Sequence, residues 1–513
     1  AAWPAADFVV GNPPFIGAKR MRDALGDDYI DALMAAWPEI PQATDYVTRW
    51  WHKAATLVRN GNIRSFGLIT TNSLSQAFNR RAIEPHLNAV DKPLSLSFAV
   101  ADHPWVDSTD GAAVRISMTA AIPGRAEGTL LVVAEEHAES ASSSGDLVKA
   151  TFTRRGIIHS DLTVGVDVSI AKELEANYGL CAVGMKTIGS GFILNQEEAL
   201  HYGVGPSSEV SKYVRPYLSG RDFASTTRGV YVIDFFGLTE NEVRSNFPEL
   251  YQHLLIKVKP FRDVNRNRIF REQWWVIGHP RPVFREFTRE LARYVVTIET
   301  AKHRYFAFVP SATTPDSTLV TFGFDDAYYL GVLSSTVHVT WALATGGTLE
   351  DRPRYNKTRC FETFPFPDAS VTQRAAIRTL AEQLDAHRKR QQALHPRLTL
   401  TDMYNVLAKL RAGEALNEAE RRVHEQGLVA ILRQLHDELD LAVLGAYGWG
   451  DLIKKGLSAD LADSADLRSP EASTLKSAQS AQSADHSSLE EAILERLVAL
   501  NAARAAEEGR GVV

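Results

Sequence analysis

The chain has 513 residues, 45% of them hydrophobic and 23% charged, with a net charge of -6. That length suits about three domains of ordinary globular composition; no run of 18 apolar residues and no leader-like segment stands out, which argues against a membrane span and for a cytoplasmic protein. Two cysteines, Cys181 and Cys360, exclude a disulfide framework and a cysteine-built zinc cluster, and no histidine pair has metal-ligand spacing, so no metal is expected.

The first element is the apolar run Phe8-Val9-Val10-Gly11, which predicts a buried strand. It runs directly into Asn12-Pro13-Pro14-Phe15, where two prolines stiffen the backbone at the strand end. In an open α/β sheet, ligands bind beyond the carboxyl ends of the strands. The segment DFVVGNPPF, Asp7 to Phe15, resembles motif IV of the adenine-N6 DNA methyltransferases. The resemblance implies a catalytic set of Asn12, Pro13, Pro14 and Phe15. The residue types suit that chemistry. An exocyclic adenine amine is a poor nucleophile because its lone pair is delocalised into the ring. The Asn12 amide oxygen can accept one N6 hydrogen and the Pro13 carbonyl the other. Two acceptors so placed favour a pyramidal nitrogen able to attack a sulfonium methyl. Phe15 can stack on a base flipped out of the duplex. Positioning and oriented dipoles carry such a reaction, with no tuned general base.

Next, Tyr46, Val47, Trp50, Trp51, Ala54 and Leu57 recur at helical spacing and predict a helix over 44–60, stopped by Asn60-Gly61-Asn62. The strand 65–70 ends in the polar Thr71-Asn72-Ser73, the alternation of a parallel sheet. Apolar stretches at 94–101 and 112–122 predict two more strands. Between them Trp105 is the candidate for a second aromatic face on the flipped base, a role implied by the resemblance. Residues 1–135 thus read as the C-terminal half of a Rossmann-like class I methyltransferase domain. The Ser-rich stretch within 136–179 reads as a linker or exposed hairpin.

Residues 180–370 form a second unit, mixed α/β in pattern and dense in aromatic residues and Arg. The segments IGSGFIL (188–194), VRPYLSGRD (214–222) and RYNKTRCFETFPFP (354–367) resemble the target-recognition region of type IIL restriction–modification methyltransferases. A likeness to the adenine methyltransferases of DISARM-type phage-defence systems is also present. These resemblances imply double-stranded DNA as partner, with nuclease or defence proteins as further partners. Residues 211–310 hold 17 Lys and Arg against 10 Asp and Glu, a basic middle compatible with a DNA-facing domain. Arg reads guanine edges and phosphates, and Asn or Gln reads adenine. Arg262, Arg266, Arg268, Arg354, Lys357 and Arg359 are the candidate DNA contacts. Trp274 and Trp275 read as core.

Residues 371–450 carry leucines and isoleucines at helical spacing and read as a helical spacer. The tail, 451–513, is rich in Ser, Ala, Asp and Gln; disorder is expected up to Ser488 and an amphipathic helix over 489–506.

The family resemblance implies S-adenosyl-L-methionine as cofactor, held chiefly by a glycine-rich strand-turn-helix. That element would precede residue 1, and the glycine clusters Gly189-Ser190-Gly191 and Gly346-Gly347 lie in the second unit. The chain therefore reads as an N-terminally truncated fragment that alone binds the cofactor weakly and is inactive. Two alternatives remain: a non-catalytic DNA-binding specificity subunit, and methylation of a protein glutamine or an RNA base. An intact NPPF loop disfavours the first. The large second unit disfavours the second.

Overall fold

The computed structural model describes residues 3–104, 115–135, 149–349, 352–452 and 472–509. The chain divides after Ser169 into two compact units.

The first unit is built on one mixed sheet of six strands: β1 (Phe8–Gly11), β2 (Ser65–Thr71), β3 (Leu94–Pro104), β4 (Arg115–Pro123), β5 (Gly128–Glu135) and β6 (Lys149–Gly156). Their spatial order is β1-β2-β4-β3-β5-β6. β1 and β2 pair in parallel, with Gly11 opposite Leu68. β4 runs antiparallel between β2 and β3. Hence β1, β2 and β3 point the same way, and their last residues, Gly11, Thr71 and Pro104, share one edge of the sheet.

Helix Val47–Arg59 packs on this sheet because Val47, Trp51, Ala54, Ala55 and Val58 fall on one helical face and are buried. Trp51 is fully buried, meets Phe66 edge-on at 5.1 Å and donates its indole N–H to Thr119 Oγ1 at 3.1 Å. A truncation there would cost about 3–5 kcal/mol. Gly61, at φ 74°, provides the left-handed residue after the helix.

Within this chain the expected burial of the first strand is seen on one face only. Phe8 and Val10 are 59% and 85% exposed, whereas Val9 packs against the core. Side chains alternate along a strand. β1 ends the row of strands present in this chain, and its Val9 face meets the helix-covered side. The Ser-rich stretch 136–148 lies outside the described residues; the strands flanking it, β5 and β6, pair antiparallel.

The second unit holds two four-stranded sheets. One orders Thr314–Pro315, Val214–Leu218, Tyr231–Ile233 and Ile193–Leu194; the other orders Ala307–Pro310, Arg293–Ile298, Leu319–Phe322 and Cys181–Val183. The aromatic-proline segment is core: Tyr355, Phe361 and Phe364 are all but fully buried. Helices Val371–Leu394, Leu400–Arg411, Glu418–Gly427 and Val429–Ala446 follow. The last helix runs from Ala472 to Glu508, so the disorder expected up to Ser488 gives way to helix from Ala472 onward. Its Ala and Gln are good helix formers. Asn501 anchors it, donating to the carbonyls of Lys172 (2.8 Å) and Thr363 (2.7 Å) and accepting the Lys172 N–H (2.9 Å). Among the described residues, no helix is long and apolar enough to cross a membrane.

Candidate active site

The NPPF loop leaves β1 at the sheet edge where β2 and β3 also end. Asn12 and Pro14 are exposed, Pro13 is buried and Phe15 is half-buried. A buried Pro13 flanked by an exposed Asn12 gives a loop whose base is packed and whose amide side chain faces outward. This suits an acceptor presented to a ligand.

The polar residues that close β2 and β3 form a hydrogen-bonded row at this edge. Asn72 Nδ2 donates to Asp102 Oδ1 at 3.2 Å, and Arg115 Nε donates to the same oxygen at 2.7 Å. Thr71 Oγ1 and Ser73 Oγ lie 2.5 Å apart, and Ser73 Oγ donates to Asp45 Oδ2 at 2.6 Å. Asp45, Ser73 and Asn79 were not picked out as site residues from the sequence. The signal available was polar residues, Thr44 and Asp45, at the start of a strongly amphipathic helix, set against the polar end of β2.

Behind the loop, the hydroxyls of Tyr46 and Tyr29 are 2.8 Å apart. Burial, reinforced by that contact, pushes Tyr46 up to about 12. Arg49 is buried; its Nη1 donates to the Thr44 carbonyl at 3.3 Å, and burial lowers its affinity for its proton. These groups are held in place, and Tyr46 keeps its proton at neutral pH. The edge therefore contributes fixed dipoles and acceptors. Trp105 lies outside the described residues; Pro104, the residue before it, ends β3 at the same edge.

In the second unit the candidate DNA contacts separate. Arg262 is 0% exposed: Nη2 donates to the carbonyls of Thr187 (2.7 Å) and Val276 (3.1 Å), and the guanidinium lies 5.3 Å from the Phe192 ring and 5.0 Å from the Phe270 ring. This corrects the expectation of a DNA contact, because a core arginine cannot reach a phosphate. Arg266 and Arg268 are exposed, and Arg268 pairs with Glu272 at 2.6 Å. Arg354 is exposed and pairs with Glu299 at 2.7 Å. Lys357 is ion-paired to the buried Glu362, and Arg359 is half-buried beside it. Trp274 is buried, and Trp275 donates to the Leu238 carbonyl at 2.9 Å. Among the described residues, no group of three or more His, Cys, Asp or Glu is placed to hold a metal ion.

Residues 4–129 match the family model of the MmeI DNA-methyltransferase domain, and residues 170–368 that of the MmeI target recognition domain. The chain is 20% identical over 410 residues to DNA methyltransferase A of Bacillus subtilis (strain 168), covering 78% of this chain and 42% of that protein. The solved structure of the type IIL restriction-modification enzyme MmeI in complex with DNA aligns with a TM-score of 0.67 at 21% identity, covering 97% of this chain and 57% of that one. The chain thus spans about half the length of the relatives it matches. The fold is accordingly a Rossmann-like methyltransferase domain, in part, followed by a mixed α/β recognition domain.

Proposed function

Because the chain belongs to the MmeI-type DNA methyltransferases, we propose that the protein it comes from is a site-specific DNA methyltransferase of a restriction–modification system that modifies N6 of a flipped-out adenine in duplex DNA. The observation that carries this reading is the NPPF loop, with Asn12 exposed and Pro13 buried, at the sheet edge where β1, β2 and β3 all end.

In this reading Asn12 Oδ1 and the Pro13 carbonyl accept the two N6 hydrogens, and Phe15 stacks on the base. Trp105 is the proposed second stacking face. The loop is stiffened by two prolines, so its acceptors are already oriented when the base arrives. The second unit supplies recognition, with Arg266, Arg268, Arg354, Lys357 and Arg359 as the proposed DNA contacts; the last four surrender or share local partners to reach DNA. Duplex DNA is the partner, in a restriction–modification or phage-defence setting.

A methyltransferase domain of this family implies S-adenosyl-L-methionine as the methyl donor. The described residues of the first unit show no glycine-rich turn between a strand and a helix next to the NPPF loop, so no residue of this chain is assigned to hold it.

The deciding experiment measures N6-methyladenine on duplex DNA treated with the full-length protein, with and without Asn12→Ala. Methylation that disappears in the variant supports the reading, and sequencing of the modified sites gives the target. Tight DNA binding with no adenine methylated by either protein would replace it with a DNA-binding specificity subunit.

A further inference from the structure

A loop that works by aiming two acceptors must be held to a fraction of an ångström. Asn12 is exposed, so its aim is set by the backbone on either side of it. On one side lies β1. On the other, the chain is tied down twice within a few residues. The Ile16 carbonyl accepts the Tyr46 N–H at 2.9 Å, and the Ala18 N–H donates to Asp45 Oδ1 at 3.0 Å.

Asp45 is itself held from several directions. Its Oδ2 accepts Ser73 Oγ at 2.6 Å and Asn79 Nδ2 at 2.9 Å. Its own N–H donates to Asn79 Oδ1 at 2.9 Å. Asn79 Nδ2 also reaches the Ser73 carbonyl at 2.9 Å, and Asn79 is buried. One carboxylate thereby joins three segments: the exit of the NPPF loop, the start of helix Val47–Arg59, and the turn after β2. The helix and the strand are core elements and cannot drift. Hydrogen bonds to a carboxylate are about twice as strong as neutral ones.

We propose that Asp45 is a positioning residue for methyl transfer, which fixes through Ala18 the backbone that carries Asn12 and Pro13, while Ser73 and Asn79 fix Asp45. The proposal rests on the methyltransferase reading above.

Two measurements test it. In hydrogen exchange of the 513-residue chain, Asp45→Ala speeds exchange in peptides covering residues 12–18 by about tenfold or more, the loss of a charge-assisted hydrogen bond. Peptides covering Val47–Arg59 and Ser65–Thr71 keep their protection. In single-turnover methylation by the full-length protein with DNA and cofactor saturating, Asp45→Ala lowers the rate per active site by about 10–100-fold. DNA affinity stays within about twofold. Asp45→Asn keeps the acceptor for Ala18 but sets its amide against that of Asn79, donor facing donor, and gives an intermediate rate.

Unchanged loop exchange, or an unchanged single-turnover rate, overturns the proposal. So does loss of protection throughout the first unit in both variants, which would make Asp45 a stability residue. A wild-type protein that binds DNA without methylating it sinks the reading beneath the proposal, and the exchange result still decides whether Asp45 holds the loop.

Discussion

Arg262 Nη2 donates to the carbonyl of Thr187 at 2.7 Å from a side chain with no exposed surface. Among the described residues its Nε and Nη1 find no hydrogen-bond partner, and two aromatic rings, Phe192 and Phe270, flank the guanidinium. The residue therefore ties the loop at Thr187 to the loop at Val276. Arg262→Ala is expected to destabilise the second unit by about 3 kcal/mol, from the cavity and the two carbonyls left without a donor. Urea unfolding measures this. DNA affinity per folded molecule stays at the wild-type level; a loss of affinity in a fully folded variant would return Arg262 to the recognition surface.

Arg266 is the contrasting case, exposed four residues further on. Arg266→Ala is expected to change stability by less than about 0.5 kcal/mol. DNA binding weakens about uniformly across sequences, and the slope of log K against log salt falls by about 1, the signature of one lost phosphate contact. An unchanged slope would remove Arg266 from the contact set.

Phe15 is half-buried in the loop after β1. Stacking on one aromatic ring contributes about 1–3 kcal/mol to holding an unpaired base. Phe15→Ala is expected to cut the fluorescence rise of 2-aminopurine placed at the target position, and to slow methylation by about tenfold or more. Phe15→Tyr keeps most of both. Equal fluorescence in wild type and Phe15→Ala would show that this ring does not hold the base.

His86 is 3% exposed; its Nε2 is 2.9 Å from His52 Nδ1, and its own Nδ1 has no partner among the described residues. Burial, then the proximity of His52, holds it down to about 3, and burial lowers His52 as well. An unfolded histidine takes its proton near 6.5. Between those values the unfolded chain binds more protons than the folded one, so stability rises with pH there. The stabilisation is complete above about pH 7 and falls as the pH drops toward 3, by up to about 1.4 kcal/mol per pH unit for each such histidine. His338, buried in the second unit and also lowered to about 3 by burial, acts in the same direction. The urea midpoint at pH 5.0 should lie clearly below that at pH 7.5; equal midpoints would contradict the assignment.

Much of the first unit was legible because its signals are local. The helix at Val47–Arg59 follows from apolar spacing and the strand at Ser65–Thr71 from a short apolar run with a polar end. The Asn12–Phe15 loop stands out by its residue types alone. Which face of β1 is covered within this chain was not legible, since an apolar run does not say what packs on either side of its strand. The Asp45 clamp joins residues 27 to 34 positions apart, a pairing that only the tertiary fold creates. Arg262 misled for the same reason: in a basic stretch, nothing local separates an arginine that closes a core from its exposed neighbours. The helix from Ala472 was masked by its serines, and Asn501, which anchors it, contacts Lys172 across 329 positions.

Cys181 and Cys360 are both buried, and burial pushes both thiols above their ordinary range. A thiol attacks an electrophile as its thiolate, so both are chemically silent toward water-soluble reagents. Since these are the chain's two cysteines, its outer surface is a blank page for thiol chemistry. A single cysteine introduced at position 266 would be the chain's one reactive handle, and a maleimide dye placed there would test whether DNA comes close to that position.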